Sequence, residues 1–493
     1  MSSCLKKNQI FITKGTKTFF SNFKFQISTI LNLGKSSIPR LLWYYSIPSL
    51  IGTLVNALYN IVDRIYIGQG VGALAISGLA LTFPIMNLLG AFGMLVGHGA
   101  AARVSLLLGN GNKREANAIL PNTLLLTLFF YLIVSSLTYI FLEPILYAFG
   151  GSELTIPYAS QYLRIIIPGH IFTSLCYAYT NIMRASGHPM IAMNTLVMGA
   201  LLNVLLDPIF IFWLNLGIQG AAYATVLSMF ISCVWIMHYY FRKDYTLSFR
   251  VQSTDDTPHS SLLTPNSSLL TPNSSLLTPN FKLMSSILSI GLSSFLLHTA
   301  TSLVNVLMNH TLQRYGGDLA IGAFGIITSF TSLIIMAIVG MAQGMQPIVG
   351  YNYGAGLYDR VKSTLKYCIS IATIITSLGC VASIIFPNYI ARMFTIDTAL
   401  VNITASGLSI YASTFFVVGF HIVVTNYFQS IGRAGVSIFL SLSRQILLLI
   451  PFILLFPPVW QLKGAWLAQP ASNIIATIIA AIILTAHIRK LSK

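Results

Sequence analysis

Apolar and polar positions in this chain of 493 residues segregate on a coarse scale, with long hydrophobic runs broken by short polar stretches. Twelve of these runs reach the roughly 20 residues that an α-helix needs to cross a bilayer. They lie at about 40–66, 75–108, 118–142, 158–184, 189–213 and 219–241, then at 284–314, 320–353, 362–386, 405–430, 436–457 and 464–487. Several are longer than the bilayer requires, which implies tilt or helix extending beyond the membrane. The pattern predicts an all-α membrane protein with twelve transmembrane helices.

Composition agrees. The chain is 55% hydrophobic and 8% charged, far from the roughly 25% charged content of soluble domains, and its mean hydropathy is +0.76. The net charge of +17 does not point to nucleic acid, because the basic residues sit at the ends of apolar segments and form no patch. Their placement reports topology. With a cytoplasmic N-terminus, most Lys and Arg fall on the inner side, including Lys113, Arg114, Arg184, Arg360 to Lys366, Arg433, Arg489 and Lys490. Both termini are then cytoplasmic. The five cysteines are scattered without CxxC spacing and read as small packing residues.

Two stretches lie outside the membrane pattern. Residues 1–38 are basic and acid-free, the first acid in the chain being Asp63. With no apolar run before a small-residue cleavage site, a cleaved secretory signal is not expected, and they read as a cytoplasmic tail, although organellar transit peptides share that composition. Residues 244–281 contain SSLLTPN three times in succession. A tandem repeat of Ser, Thr, Pro and Asn builds no core and reads as a cytoplasmic linker, and its prolines exclude a coiled coil.

The regions either side, 39–243 and 282–493, echo each other at a shift near 245 residues: Gly109-x-Gly111 matches Gly354-x-Gly356, Asn181 matches Asn426, and Gly187 matches Gly432. Six helices per half give a parallel repeat, two pseudo-symmetric lobes about an axis along the membrane normal with a cleft between them.

Against this background the acids stand out. Only 11 acidic residues exist, yet Asp63 and Asp207 lie within membrane-length apolar runs, where a charge costs several kcal/mol and usually marks an ion or substrate path. The repeat carries Asp63 onto Met308 and Asp207 close to Pro451, so the second half has no counterpart acid. Both acids fall near the outer ends of outward-running helices and could share a cavity. Tyr59 precedes Asp63 by four residues and Asn203 precedes Asp207 by four, each pair on one helix face. Pro208 removes a backbone donor, freeing the Val204 carbonyl. Oxygen ligands of this kind suit a proton or a hard cation such as Na+. The plainer readings are an interfacial Asp63–Arg64 ion pair and a helix end at Asp207-Pro208.

These residues also carry a family resemblance. Leu58-Tyr59-Asn60-Ile61-Val62-Asp63, Asn203 to Phe210, Arg184-Ala185-Ser186-Gly187 and Gly217 to Thr225 are similar to motifs of multidrug and toxic compound extrusion (MATE) transporters of the DinF-like branch, as are Gln346-Pro347 and Gly350 to Gly356. The resemblance covers roughly 40–243 and 282–489. It implies a V of two six-helix lobes and alternating access. It also implies a cofactor-free antiporter that exports organic cations or amphipathic drugs in exchange for H+ or Na+. The family's ion site would map onto Asp63, Asn203, Asp207 and Thr225, a possible Na+ site, with Tyr59 lining the same cavity. A monomer in a bacterial inner membrane is expected. The second-lobe acids of the NorM-like branch are missing here, which favours coupling through the first lobe.

Arg444 is the one basic residue placed inside the membrane, either lining a second-lobe cavity or binding an anionic group, or else bonding carbonyls as a structural residue. His98, His170, His298, His310 and His421 show no metal-ligand spacing and read as packed or hydrogen-bonded helix histidines, a proton relay being the alternative. Gly34-Lys35-Ser36 lacks the rest of a P-loop, and no hydrolase or zinc motif appears. A membrane enzyme is therefore not expected. A lipid-linked oligosaccharide flippase is the alternative, supported by Arg444 alone.

Overall fold

The computed structural model describes residues 33–71, 73–149, 153–242, 246–249, 279–394 and 397–491. Most of the N-terminal tail and of the SSLLTPN linker, and the Arg64 side chain with its expected alternative pairing to Asp63, lie outside the described residues.

Among the described residues all regular structure is helical. The first half runs α1 Ile38–Gly70, α2 Ala73–Gly109, α3 Lys113–Ile140, α4 Ile156–Ala185, α5 Pro189–Trp213 and α6 Gly217–Tyr240. The second runs α7 Phe281–Gly317, α8 Leu319–Gly354, α9 Tyr358–Ile385, the bent pair α10 Thr398–Tyr411 and α11 Phe415–Ser430, α12 Ala434–Leu455 and α13 Pro457–Leu491. Helices close their own backbone hydrogen bonds, the requirement for crossing hydrocarbon. Among the described residues nine are long and apolar enough to span a membrane, or ten if the α10–α11 pair is one span bent by 55°. α1 and α4 have comparable length but fall outside that set. Exposed Leu132, Ile140, Leu378 and Ile482 belong to an apolar outer surface suited to lipid.

Local chemistry places the breaks where the apolar pattern stops. The Asn112 side chain caps α3 by accepting from Glu115 N, and Asn280, the last residue of the linker repeats, caps α7 by accepting from Leu283 N at 3.1 Å. Gly317 turns the chain between α7 and α8 with φ 66°. The two-fold echo in the sequence is also structural: Gly111 and Gly356 close equivalent turns with φ of 75° and 72°.

Packing divides unequally along the helices. Near Asp63, Ile67, Leu146, Ile167 and Ile211 form a cluster drawn from the first half alone. Leu312, Ile327, Leu408 and Trp466 form a counterpart from the second half alone. At the opposite end, which carries Arg103, Lys113, Arg360 and Arg433, the halves interlock. There Leu41, Leu42 and Tyr45 of α1 enter a cluster with Met345 and Val349 of α8, while Ile287 of α7 joins the cluster of α2. The halves are thus sealed together at the basic end and keep separate cores at the other.

Candidate functional site

Four helices of the first half converge on the expected carboxylates. α1 supplies Tyr59 and Asp63, α5 supplies Asn203 and Asp207, α6 supplies Thr225, and α4 adds Tyr162. Asn203 and Asp207 are fully buried, Asp63 is 7% exposed, and Thr225 and Tyr59 are half-buried. The Asn203 side-chain nitrogen donates to Asp207 Oδ1 and to Thr225 Oγ1, each at 3.2 Å. Asp63 and Asp207 lie within electrostatic reach of each other. The structure therefore brings the five first-half residues singled out in the sequence into one cluster.

Its bonding is lopsided. Asn203 spends both amide hydrogens inside the cluster, whereas its own Oδ1 and Asp207 Oδ2 are shielded from solvent and have no donor. Buried acceptors without donors are costly. A proton or a small hard cation would satisfy them, since carboxylate and carbonyl oxygens are its preferred ligands. The backbone of α5 is adapted at the same place. Immediately after Pro208 the helix changes to π winding over Ile209–Trp213, a distortion that concentrates at functional sites.

Tyr162 was not foreseen. It is 6% exposed, interacts electrostatically with Asp63, Tyr59 and Asp207, and lies beside Thr225. No periodicity distinguishes one tyrosine in a membrane helix from a packing aromatic, so the chain alone gave no signal for it. A second polar system, at the basic end, also went unforeseen as a unit. His98 bridges Tyr177 (2.8 Å) and Ser294 (2.9 Å), Gln429 donates to Ser294 at 2.9 Å, and Arg184 donates to Gln343 at 2.9 Å. The repeat could have exposed it, because the shift of 245 carries His98 onto Gln343 and Arg184 onto Gln429.

Arg444 lines a cavity of about 170 Å³ in the second half, with Asn305, Tyr411, Gln445, Gln469 and Asn473. None of the first-half cluster residues lines it. Among the described residues no group of three His, Cys, Asp or Glu could hold a metal ion.

Known proteins resemble the chain over nearly its whole length. The MatE family profile matches residues 48–209 and 293–455. A curated relative, the multidrug export protein MepA of Staphylococcus haemolyticus (strain JCSC1435), is 27% identical over 433 residues, covering 87% of this chain and 89% of the relative. Among solved structures, an outward-facing multidrug resistance MATE transporter of the MOP superfamily superposes with a TM-score of 0.84 at 25% identity, covering 94% of this chain and 98% of its own. The MATE multidrug transporter DinF-BH, solved as a complex, superposes with a TM-score of 0.81 at 33% identity, covering 92% and 96%.

Proposed function

Because the chain belongs to the MATE family of multi-pass membrane transporters, we propose that it is a secondary active multidrug efflux antiporter of the DinF-like branch, exchanging drugs for H+ or Na+ by alternating access. It spans the membrane twelve times, as a first lobe of residues 39–243 and a second of 282–493, with the tail 1–38 and the linker 244–281 in the cytoplasm. It acts as a monomer in a plasma membrane, a bacterial inner membrane being the best fit. The observation that carries the reading is the buried pair of acceptor oxygens on Asn203 and Asp207 beside Asp63.

In this reading the coupling ion enters the first lobe, where Asp63, Asn203, Asp207 and Thr225 hold it and Tyr59 and Tyr162 border it. Binding neutralises buried charge and shifts the balance between conformations by the differential affinity for each. One charge moved down 100 mV supplies about 2.3 kcal/mol for the cycle. Sealing at the basic end supports an outward-facing conformation, the one in which the relative with a TM-score of 0.84 was solved. The flippase alternative draws less support, since the Arg444 cavity of about 170 Å³ is small even for a drug-sized ligand.

Dye efflux from proteoliposomes under an imposed pH gradient, with and without Na+, tests the proposal. Accumulation driven by either ion gradient is expected. Transport indifferent to both gradients overturns ion coupling.

A further inference from the structure

The second-half cavity has the opposite polarity to the first-half cluster, and its bonding shows why. Around Arg444 the side-chain oxygens of Gln469 and Asn473 already accept hydrogen bonds. The Tyr411 hydroxyl donates to Gln469 Oε1 at 3.4 Å, and Gln469 Nε2 donates to Asn473 Oδ1 at 3.0 Å. No carboxylate lines the cavity. The Ser472 hydroxyl donates to the Arg444 backbone carbonyl at 2.6 Å, which fixes the main chain there. Arg444 Nε is shielded from solvent and has no acceptor. Next to it Gln445, 7% exposed, donates to Thr301 at 3.4 Å, while its Oε1 has no donor.

Both side chains line the cavity. Arg444 and Gln445 fall in the π segment Ser443–Leu449 of α12. An extra residue in a helical turn re-aims the side chains it carries, and evolution keeps such turns mostly where function needs them. A guanidinium at membrane depth in a cavity that no carboxylate lines is expensive, which calls for an anion that pairs with it in the working cycle.

We infer that the Arg444 cavity is a subsite for an oxyanion, the carboxylate of an amphipathic small molecule. The planar guanidinium presents a fork of donors that matches a carboxylate, and Gln445 Oε1 accepts from an N–H or O–H on the same ligand. The volume of about 170 Å³ fits one end of such a molecule, and the rest lies in the cleft. Binding at Arg444 stands on its own geometry; only the statement that the ligand is then transported rests on the exporter reading.

The test is fluorescence anisotropy on the purified full chain in neutral detergent, with a xanthene dye bearing a free carboxylate and its ethyl ester as probes. Wild type is expected to bind the acid at least tenfold more tightly than the ester. Arg444→Gln should abolish that preference and leave the ester affinity unchanged, and Arg444→Lys should retain part of it. Asp207→Asn should keep the preference even where it stops transport, which separates this inference from ion coupling. Equal affinity of wild type for the two dyes overturns the inference, as does an Arg444→Gln variant that weakens both dyes alike. If Arg444→Gln does not fold, an undiminished preference in Arg444→Lys overturns the carboxylate fork. Addition of phosphatidylglycerol distinguishes the remaining source of oxyanion. Displacement of the acid by a few mole per cent of that lipid would assign the cavity to headgroup phosphate and overturn its role as a substrate subsite.

Discussion

Gly109 and Gly354 make reciprocal contacts across the two halves of the protein. A Cβ on Gly109 would overlap the Tyr351 carbonyl, and a Cβ on Gly354 would overlap the Leu106 carbonyl. The shift of 245 residues turns one contact into the other, because it carries Gly109 onto Gly354 and Leu106 onto Tyr351. α2 and α8 therefore cross backbone to backbone on the pseudo-two-fold axis, at the basic end where the halves are sealed. Gly99 against Ile287 of α7 and Gly344 against Ser46 of α1 form a second symmetric set on either side. Backbone contact this close is open only to glycine.

Gly109→Ala is expected to prise that seal apart. Overpacking of this kind costs about 1–3 kcal/mol, a cost relieved when the halves separate at the basic end. Spin labels at the exposed positions Lys113 and Asp359 should report a longer distance in the variant, with efflux reduced. An unchanged distance with full efflux would show that the glycine contact does not hold the seal.

Asp207→Asn and Asp63→Asn should each lower drug efflux at least tenfold while leaving membrane insertion intact. Each swap keeps the shape of the side chain and removes the charge that a coupling ion must balance, and in a dry site that charge cannot be replaced by water. Efflux in vesicles, normalised to the amount of inserted protein, decides this. Normal efflux by both variants would leave the first-lobe reading without a basis.

Tyr162→Phe keeps the buried ring and removes the hydroxyl beside Thr225. The expected result is a 3- to 10-fold rise in the ion concentration for half-maximal transport, with little change in maximal rate, equivalent to about 1 kcal/mol or one neutral hydrogen bond. A loss of maximal rate alone would instead mark Tyr162 as a packing residue.

How much of this was legible in the chain follows from what each signal depends on. Helix positions rest on local hydrophobic length, and the segments expected at 189–213 and 320–353 reappear as Pro189–Trp213 and Leu319–Gly354. Asp63, Asn203 and Asp207 were visible because polar groups in apolar runs are conspicuous, and spacing by four ties Asn203 to Asp207 within one helix. Tyr162 and the His98–Ser294–Gln429 chain depend on which helices meet, which no local pattern encodes. The π turns at Ile209–Trp213 and Ser443–Leu449 were equally hidden, since a one-residue insertion leaves the apolar run intact.

His188 supplies a pH signature outside the membrane segments. It sits in the turn before α5, and burial pulls its pKa down to about 4 from the ordinary 6.5. The folded protein thus holds the neutral form and the unfolded chain binds the proton more readily. The contribution to stability is complete above about pH 6.5 and is lost as pH falls towards 4, by up to about 3 kcal/mol. His188→Gln should flatten part of the fall in Tm between pH 6.5 and 4. A variant that tracks wild type across that range would remove His188 from the account.

Arg184 links the halves through a buried charge. Its guanidinium donates to Asn181 at 3.1 Å within α4 and to Gln343 of α8 at 2.9 Å, and the residue is 4% exposed. A hydrogen bond from a charged donor contributes about 1.5–3 kcal/mol, and removing only one partner strands the other. Arg184→Leu, Gln343→Leu and the double variant form a cycle whose coupling should exceed about 1 kcal/mol in unfolding measured in mixed micelles. Each single variant should also lengthen the Lys113–Asp359 label distance, because the bond exists only while the basic end is shut. Additive effects, with that distance unchanged, would make Arg184 a local brace of α4 and take it out of the seal.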